Sequence, residues 1–381
     1  MKKKILLIVR RTSGEIDWVL PILNKVSNQY EIITIFENKS IFNDLKRNRQ
    51  LFALWSVISN KYYVRNIYDD LIGRSLISVF NKLEKIFKVS LASKKEKIFK
   101  NIFVKKIIKS KLKINNLDSI SFLFHDWGGF TGWINAFKNT KIKIIYFPHS
   151  TLKYSITPKH LNNLFGHIMI VGSKSEKMKW KKLFNGKIIV TGHPKYSSEW
   201  LSKFKPLKSN NKKFKIVLPM KDWKDSVEKK KLQNILFSVF EVLDKHSDKI
   251  ILYIKVARKH YYANKNFIDS LLIKFQISFK FCEDSLLSLA KSSDLFLVFN
   301  DSSVTYDALS QKTLSIELWN KNPKISTTKK YTFQAKNKKD FEKTFNKVFN
   351  KNIKNYTIKK YKIFYKNYLT KIKYNNILKY F

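Results

Sequence analysis

Residues 293–309 read SDLFLVFNDSSVTYDAL. Leu295, Phe296, Leu297, Val298 and Phe299 form a short unbroken apolar run, the pattern of a strand covered on both faces. Val304, Ala308 and Leu309 then return at helical spacing, so the chain passes from a buried strand into a helix across Asn300, Asp301, Ser302 and Ser303. Small hydroxyl and acidic residues cap helices, and the first N–H groups of a helix point outward, where an anion can meet them. The pattern predicts a parallel α/β unit with an anion-binding corner behind the strand.

The same alternation extends in both directions. FKIVLP (214–219), KIILYIKV (249–256), ISFKFC (277–282) and LSIELW (314–319) read as strands, with helices near 227–244 and 264–274 between them. Upstream, KILLIV (4–9), EIITIF (31–36), SISFLF (119–124), KIIYF (143–147), HIMIV (167–171) and KIIVTG (187–192) form a second series. Its first helix, IDWVLPILNKVSN (16–28), is expected to be interrupted at Pro21. LSKFKPLKSNNKK (201–213) is polar, holds a proline and lacks periodicity, so it reads as a linker. The expectation is an α/β protein of two doubly wound domains, 1–203 and 204–350, facing a cleft at the carboxyl ends of their strands. A basic helical tail, 351–381, is free to pack back across either half.

Composition bounds the function. The chain's 381 residues suffice for two ordinary cores, and 44% hydrophobic with 15% aromatic residues excludes a disordered protein. The single cysteine, Cys282, excludes a disulfide framework and a cysteine zinc site, which leaves the reducing cytosol as the expected compartment. The net charge of +48 accompanies an abundance of Lys, Asn, Ile, Phe and Tyr that base composition alone would produce. Its spread along the whole chain argues against sequence-specific nucleic-acid binding and for general attraction to an anionic membrane surface. MKKKILLIVRR starts basic, but only Ile5 to Val9 are apolar before Arg10 and Arg11, too short for a signal segment. A cytoplasmic protein, peripheral on the inner face of the membrane, is the expectation.

Residues 41–118 break the alternation. They hold 18 Lys or Arg against 6 Asp or Glu, net +12, and Phe99, Phe103 and Ile107 fall at four-residue spacing. The stretch reads as a basic helical insertion in the first domain. A solvated helical hairpin is the plainer reading; the functional one is a surface for lipid headgroups or a lipid-linked acceptor.

VGSKSEKMKWKKLFNGKIIVTGHPKY (171–196), with LLSLAKSSDLFLVFNDSSVTYDAL (286–309) further on, resembles the GT-B superfamily of nucleotide-sugar enzymes. YFPHSTLKY (146–154) resembles a segment of the branch that contains CDP-glycerol glycerophosphotransferases and bacterial sialyl- and Kdo-transferases, with Ser150 where that branch has glycine. The resemblance implies two Rossmann-like domains. It also implies that Ser302 and Ser303 contact the donor phosphate; the alternative is a plain helix cap by Asp301 or Ser302. His149, just past a strand end, is implied as general base, a role that an imidazole titrating near neutral pH suits. Glu15 and Asp17, after the first strand, are its rivals.

The chain also departs from that branch. Where a Lys-x-His-Pro motif would end a second-domain strand stands YIKVARKH (253–260): Lys255 fits, and Arg258 with Lys259 is expected to replace the histidine as a clamp on diphosphate. The His-Pro pair, His193 and Pro194, stands instead at a turn resembling that of lipid A disaccharide synthase and UDP-N-acetylglucosamine 2-epimerases, which assigns His193 to the phosphate site. With no Asp-x-Asp pair in a metal-binding context, no metal or cofactor is expected; a CMP-, CDP- or UDP-linked donor is the substrate. The leading reading is transfer from that donor to a surface polysaccharide or lipid-linked acceptor. A nucleotide-sugar 2-epimerase and a non-catalytic scaffold of the same fold are the alternatives.

Overall fold

The computed structural model describes residues 2–10, 14–66, 71–88, 91, 107–126, 132–147, 164–207, 212–223, 225–256, 261–299, 302–319, 331–350, 354–368 and 372–381. Two parallel sheets organise them. The first holds β1 (Lys3–Val9), β2 (Tyr30–Phe36), β3 (Lys61–Val64), β4 (Ile120–Asp126), β5 (Lys143–Phe147), β6 (Ile168–Val171) and β7 (Lys187–Val190), in the order β3-β2-β1-β4-β5-β6-β7. The second holds β8 (Phe214–Pro219), β9 (Ile250–Lys255), β10 (Phe279–Phe281), β11 (Leu295–Phe299), β12 (Leu314–Leu318) and β13 (Phe333–Ala335), in the order β10-β9-β8-β11-β12-β13. Strand order reverses beside β1 and beside β8, and a doubly wound sheet opens a crevice at the carboxyl end of such a reversal.

The unbroken apolar runs are explained by burial on both faces. On β1, Ile5, Leu7 and Val9 enter one core while Leu6 and Ile8 enter the core on the opposite face. On β11, Leu295, Leu297 and Phe299 pack with one cluster and Phe296 and Val298 with another. Successive strand side chains point to opposite faces, so a strand between two helical layers is apolar at most of its positions.

Several expectations need correction. The first helix runs unbroken from Gly14 to Val26 through Pro21. Proline removes only its own N–H, and a helix face that buries Ile16, Val19, Leu20 and Leu23 holds the turn together. The 41–118 stretch is not an insertion throughout. Helices Lys39–Arg47 and Arg49–Ile58 lead into β3, which pairs in parallel with β2; only then does the helix Leu71–Phe87 follow. The linker is anchored. Phe204 is fully buried, the Gln50 side chain bonds both Lys205 N (2.9 Å) and Lys205 O (3.1 Å), and Leu207 N donates to Ser292 Oγ at 2.6 Å.

The basic C-terminal segment packs on both domains. Helix Lys338–Asn350 buries Phe341, Phe345 and Val348 in the core of the second sheet. Helix Lys354–Tyr368 then places Phe364 against Tyr196, Tyr306 and Tyr331. Ile377 is buried in the first domain, Asn376 Nδ2 donates to Val190 O at 3.0 Å, and Tyr30 donates to Phe381 O at 2.5 Å.

Candidate functional site

Where the two crevices face each other lies a cavity of about 290 Å³. The second domain contributes Pro219 at the end of β8, Lys255 at the end of β9, Phe281 at the end of β10 and Val304 behind β11. The first contributes Gly14 and Asp17 from the helix after β1, Asp44 and Arg47 from the helix after β2, and Lys195. Three cations (Arg47, Lys195, Lys255) and three carboxylates (Asp17, Asp44, Glu283) therefore border one space. Arg47 Nε lies 3.7 Å from Glu283 Oε1 and joins the two domains across the cleft.

Lys195 is the second bridge. It sits in the turn Pro194–Tyr196 of the first domain, with its ammonium 2.7 Å from Asp307 Oδ1 of the second and 3.6 Å from Asp17 Oδ2. Trp200 Nε1 donates to Asp17 Oδ1 at 3.4 Å, and the ammonium lies 5.5 Å from the Trp18 ring centre. Burial alone would pull the Lys195 ammonium down, but Asp307 and Asp17 outweigh it, and its pKa is raised. Burial pushes the Asp17 carboxyl up, with Lys195 opposing. A buried cation between two carboxylates ties the domains together at a fixed geometry, because removing either partner strands a charge away from water.

Lys255 is half-buried, and its ammonium donates to Glu283 O (3.1 Å) and Asp284 O (2.6 Å). Burial lowers its pKa, and Asp44 across the cleft opposes that shift. Its visible work is to hold the loop that carries Glu283 and Ser285. Ser302 and Ser303 stand half-buried behind β11; Val304 beside them lines the cavity, and neither serine is among the lining residues. Ser302 Oγ accepts from Val304 N at 3.3 Å, whereas Ser303 makes no side-chain cap bond.

The other expected site residues fare differently. His193 is fully buried in the first domain and does not line the cavity. Its ring stands edge-on to Trp18 (centroids 5.4 Å apart), Nε2 lies 3.8 Å from Glu176 Oε1, and a Cβ on Gly172 would come within 1.9 Å of Cε1. The imidazole fills the hollow of the β6 turn, which only glycine leaves open, and the described geometry does not bring it to the cavity. Glu15 is also enclosed, with Oε2 accepting from Arg10 N at 2.8 Å. His149 and Arg258 lie outside the described residues.

A second polar group, not anticipated from the sequence, occupies the carboxyl ends of β1, β4 and β5. Asp126 is buried with its Oδ1 4.0 Å from Arg10 Nη1, and His125 Nδ1 lies 2.6 Å from Asp126 O. Burial lowers the His125 pKa, and Tyr146, edge-on to it on β5, has a phenol raised by burial. The signal was present in FLFHDW: a His-Asp pair ending an apolar strand sits where a doubly wound sheet exposes its ligand-facing edge.

No family model matches the chain, and no curated protein does. Solved structures do. A protein from Listeria monocytogenes assigned as a UDP-N-acetylglucosamine 2-epimerase superposes with a TM-score of 0.60 at 12% identity, covering 94% of this chain and 90% of that one. The fold is GT-B. The S. aureus MnaA–UDP co-structure matches at a TM-score of 0.56 and 14% identity, over 94% of this chain and 91% of that chain. Anabaena Alr3699/HepE in complex with UDP and glucose matches at 0.54 and 11%, over 96% and 95%. At such identities the GT-B likeness speaks for the arrangement of the two domains, and the chemistry rests on this chain's own residues.

Proposed function

We propose that the chain is an enzyme that binds a nucleotide-activated donor between its two domains and transfers the activated group to a surface polysaccharide or lipid-linked acceptor on the cytoplasmic side of the membrane. The observation that carries this reading is the cavity at the facing carboxyl ends of both sheets, bordered by Arg47, Lys195 and Lys255. GT-B neighbours whose complexes hold UDP support the donor class. In this reading Ser302, Ser303 and Arg258 hold the donor phosphates, and Lys255 acts through the Glu283 loop. Arg47 meets the charge that develops on the leaving diphosphate. His149 is the favoured base, since Glu15 is enclosed and Asp17 is engaged by Lys195.

A second reading has its own support. Asp17, Asp44 and Glu283 border the same space, and burial holds the Asp17 carboxyl above its ordinary range. A 2-epimerase needs such groups to remove a proton and return it. Incubation of the full-length protein with UDP-N-acetylglucosamine, CDP-glycerol and CMP-sialic acid in D₂O, with and without a polyprenyl-linked glycan fraction, separates the two by proton and phosphorus NMR. Acceptor-dependent release of free nucleotide supports transfer. Deuterium at C2 of the sugar supports epimerisation, and donors that all stay unchanged overturn both.

A further inference from the structure

The helix Leu71–Phe87 follows β3 and none of its described side chains is buried. Its sequence places Ile72, Leu76, Val79, Leu83 and Ile86 at intervals of three and four, with Phe80 and Phe87 alongside, a single apolar stripe. Val79 is 51% exposed, Ile86 69% and Phe87 65%, with Phe80 and Leu83 half-buried between them, so one flank of the stripe's described end faces solvent. Lys82 is exposed on the flank of the stripe and Lys85 on the helix's polar side. A helix of ordinary globular type turns its stripe inward; this one keeps apolar area in water.

We propose that this helix lies in the interface of an anionic membrane, with Val79, Ile86 and Phe87 among the acyl chains and Lys82 and Lys85 at the headgroups. Charge complementarity selects this occupant. The stretch 41–118 carries net +12 and the chain +48, so a second copy approaching the same face meets strong repulsion while an anionic bilayer attracts it. No described helix is long and apolar enough to cross a membrane, so binding is interfacial. The proposal does not depend on the enzymatic reading, because none of the described side chains of this face lines the cavity.

The test is co-sedimentation of full-length protein with vesicles of phosphatidylcholine alone and with about a third phosphatidylglycerol, over a range of salt. The anionic vesicles should sediment the protein and the neutral ones should not. Val79→Ser/Ile86→Ser/Phe87→Ser should weaken binding at least thirtyfold, and Lys82→Ala/Lys85→Ala roughly fivefold per lysine. Both variants should keep the wild-type circular dichroism and Tm, since the side chains replaced are exposed. Equal binding to neutral vesicles, no binding to either, or full binding by the triple serine variant would overturn the proposal. So would a wild-type dimer in light scattering that the triple variant abolishes, which would assign the face to self-association.

Discussion

At the scale of single residues, the imidazole of His193 is held from several sides. It touches Gly172, Trp18 and Glu176 and is held neutral by burial, which lowers its pKa from the ordinary 6.5. A depressed histidine contributes stability that is present above its unfolded pKa and lost as pH falls, because the unfolded chain takes up the proton first. The raised Asp17 carboxyl works in the opposite direction, so the histidine's share is read from a difference between variants. Urea midpoints of wild type and His193→Gln, measured from pH 7.5 to 5, should converge on acidification, by up to about 1.4 kcal/mol per pH unit below 6.5. A constant gap would show that the ring is not held neutral. His193 and Asp17 stand out in the sequence, whereas Lys195 and Asp307 do not show there as their company. The pairing of Lys195 with Asp307 exists only once two separately folded sheets meet, and no local pattern encodes it.

Among elements, the central strands were legible because burial on both faces demands continuous apolar runs, as in KILLIV and LFLVF. The edge strands were not. β3, KYYV, lies at the margin of its sheet with its side chains exposed or half-exposed, and its tyrosines and lysine read as part of a basic stretch. β13 is three residues long and half-buried for two of them. The helix through Pro21 was misread because one missing hydrogen bond weighs less than a buried face. The short helix Asn375–Leu378 was legible only as a basic tail, yet Ile377 is wholly buried in the first-domain core. Ile377→Ala should cost about 2 to 5 kcal/mol of stability by urea denaturation, the range for a buried aliphatic side chain truncated in a packed site. A loss under about 0.5 kcal/mol would mean that the segment rests on the domain without supporting it.

For the molecule as a whole, the paired sheets, their parallel order and the facing cleft followed from the alternation of strands and helices. The reaction did not. A fold of this kind hosts more than one chemistry, and both cations and carboxylates border the cleft here, so function is decided by which ligand enters and what happens to it. The charge of +48 likewise carries two meanings, composition and attraction, that only a surface with defined apolar side chains separates. The central claim is that the cleft holds a nucleotide-activated donor with its phosphates at Ser302 and Ser303. Calorimetric titration of UDP, CDP and CMP into the full-length protein and into Ser302→Ala/Ser303→Ala tests it most directly. One nucleotide should bind wild type at a single site. The double variant should bind it at least a hundredfold more weakly with an unchanged Tm, since each lost hydrogen bond to a charged phosphate is worth about 1.5 to 3 kcal/mol. Equal affinity in the two proteins would return the serines to helix capping, and no heat with any of the three nucleotides would contradict the account.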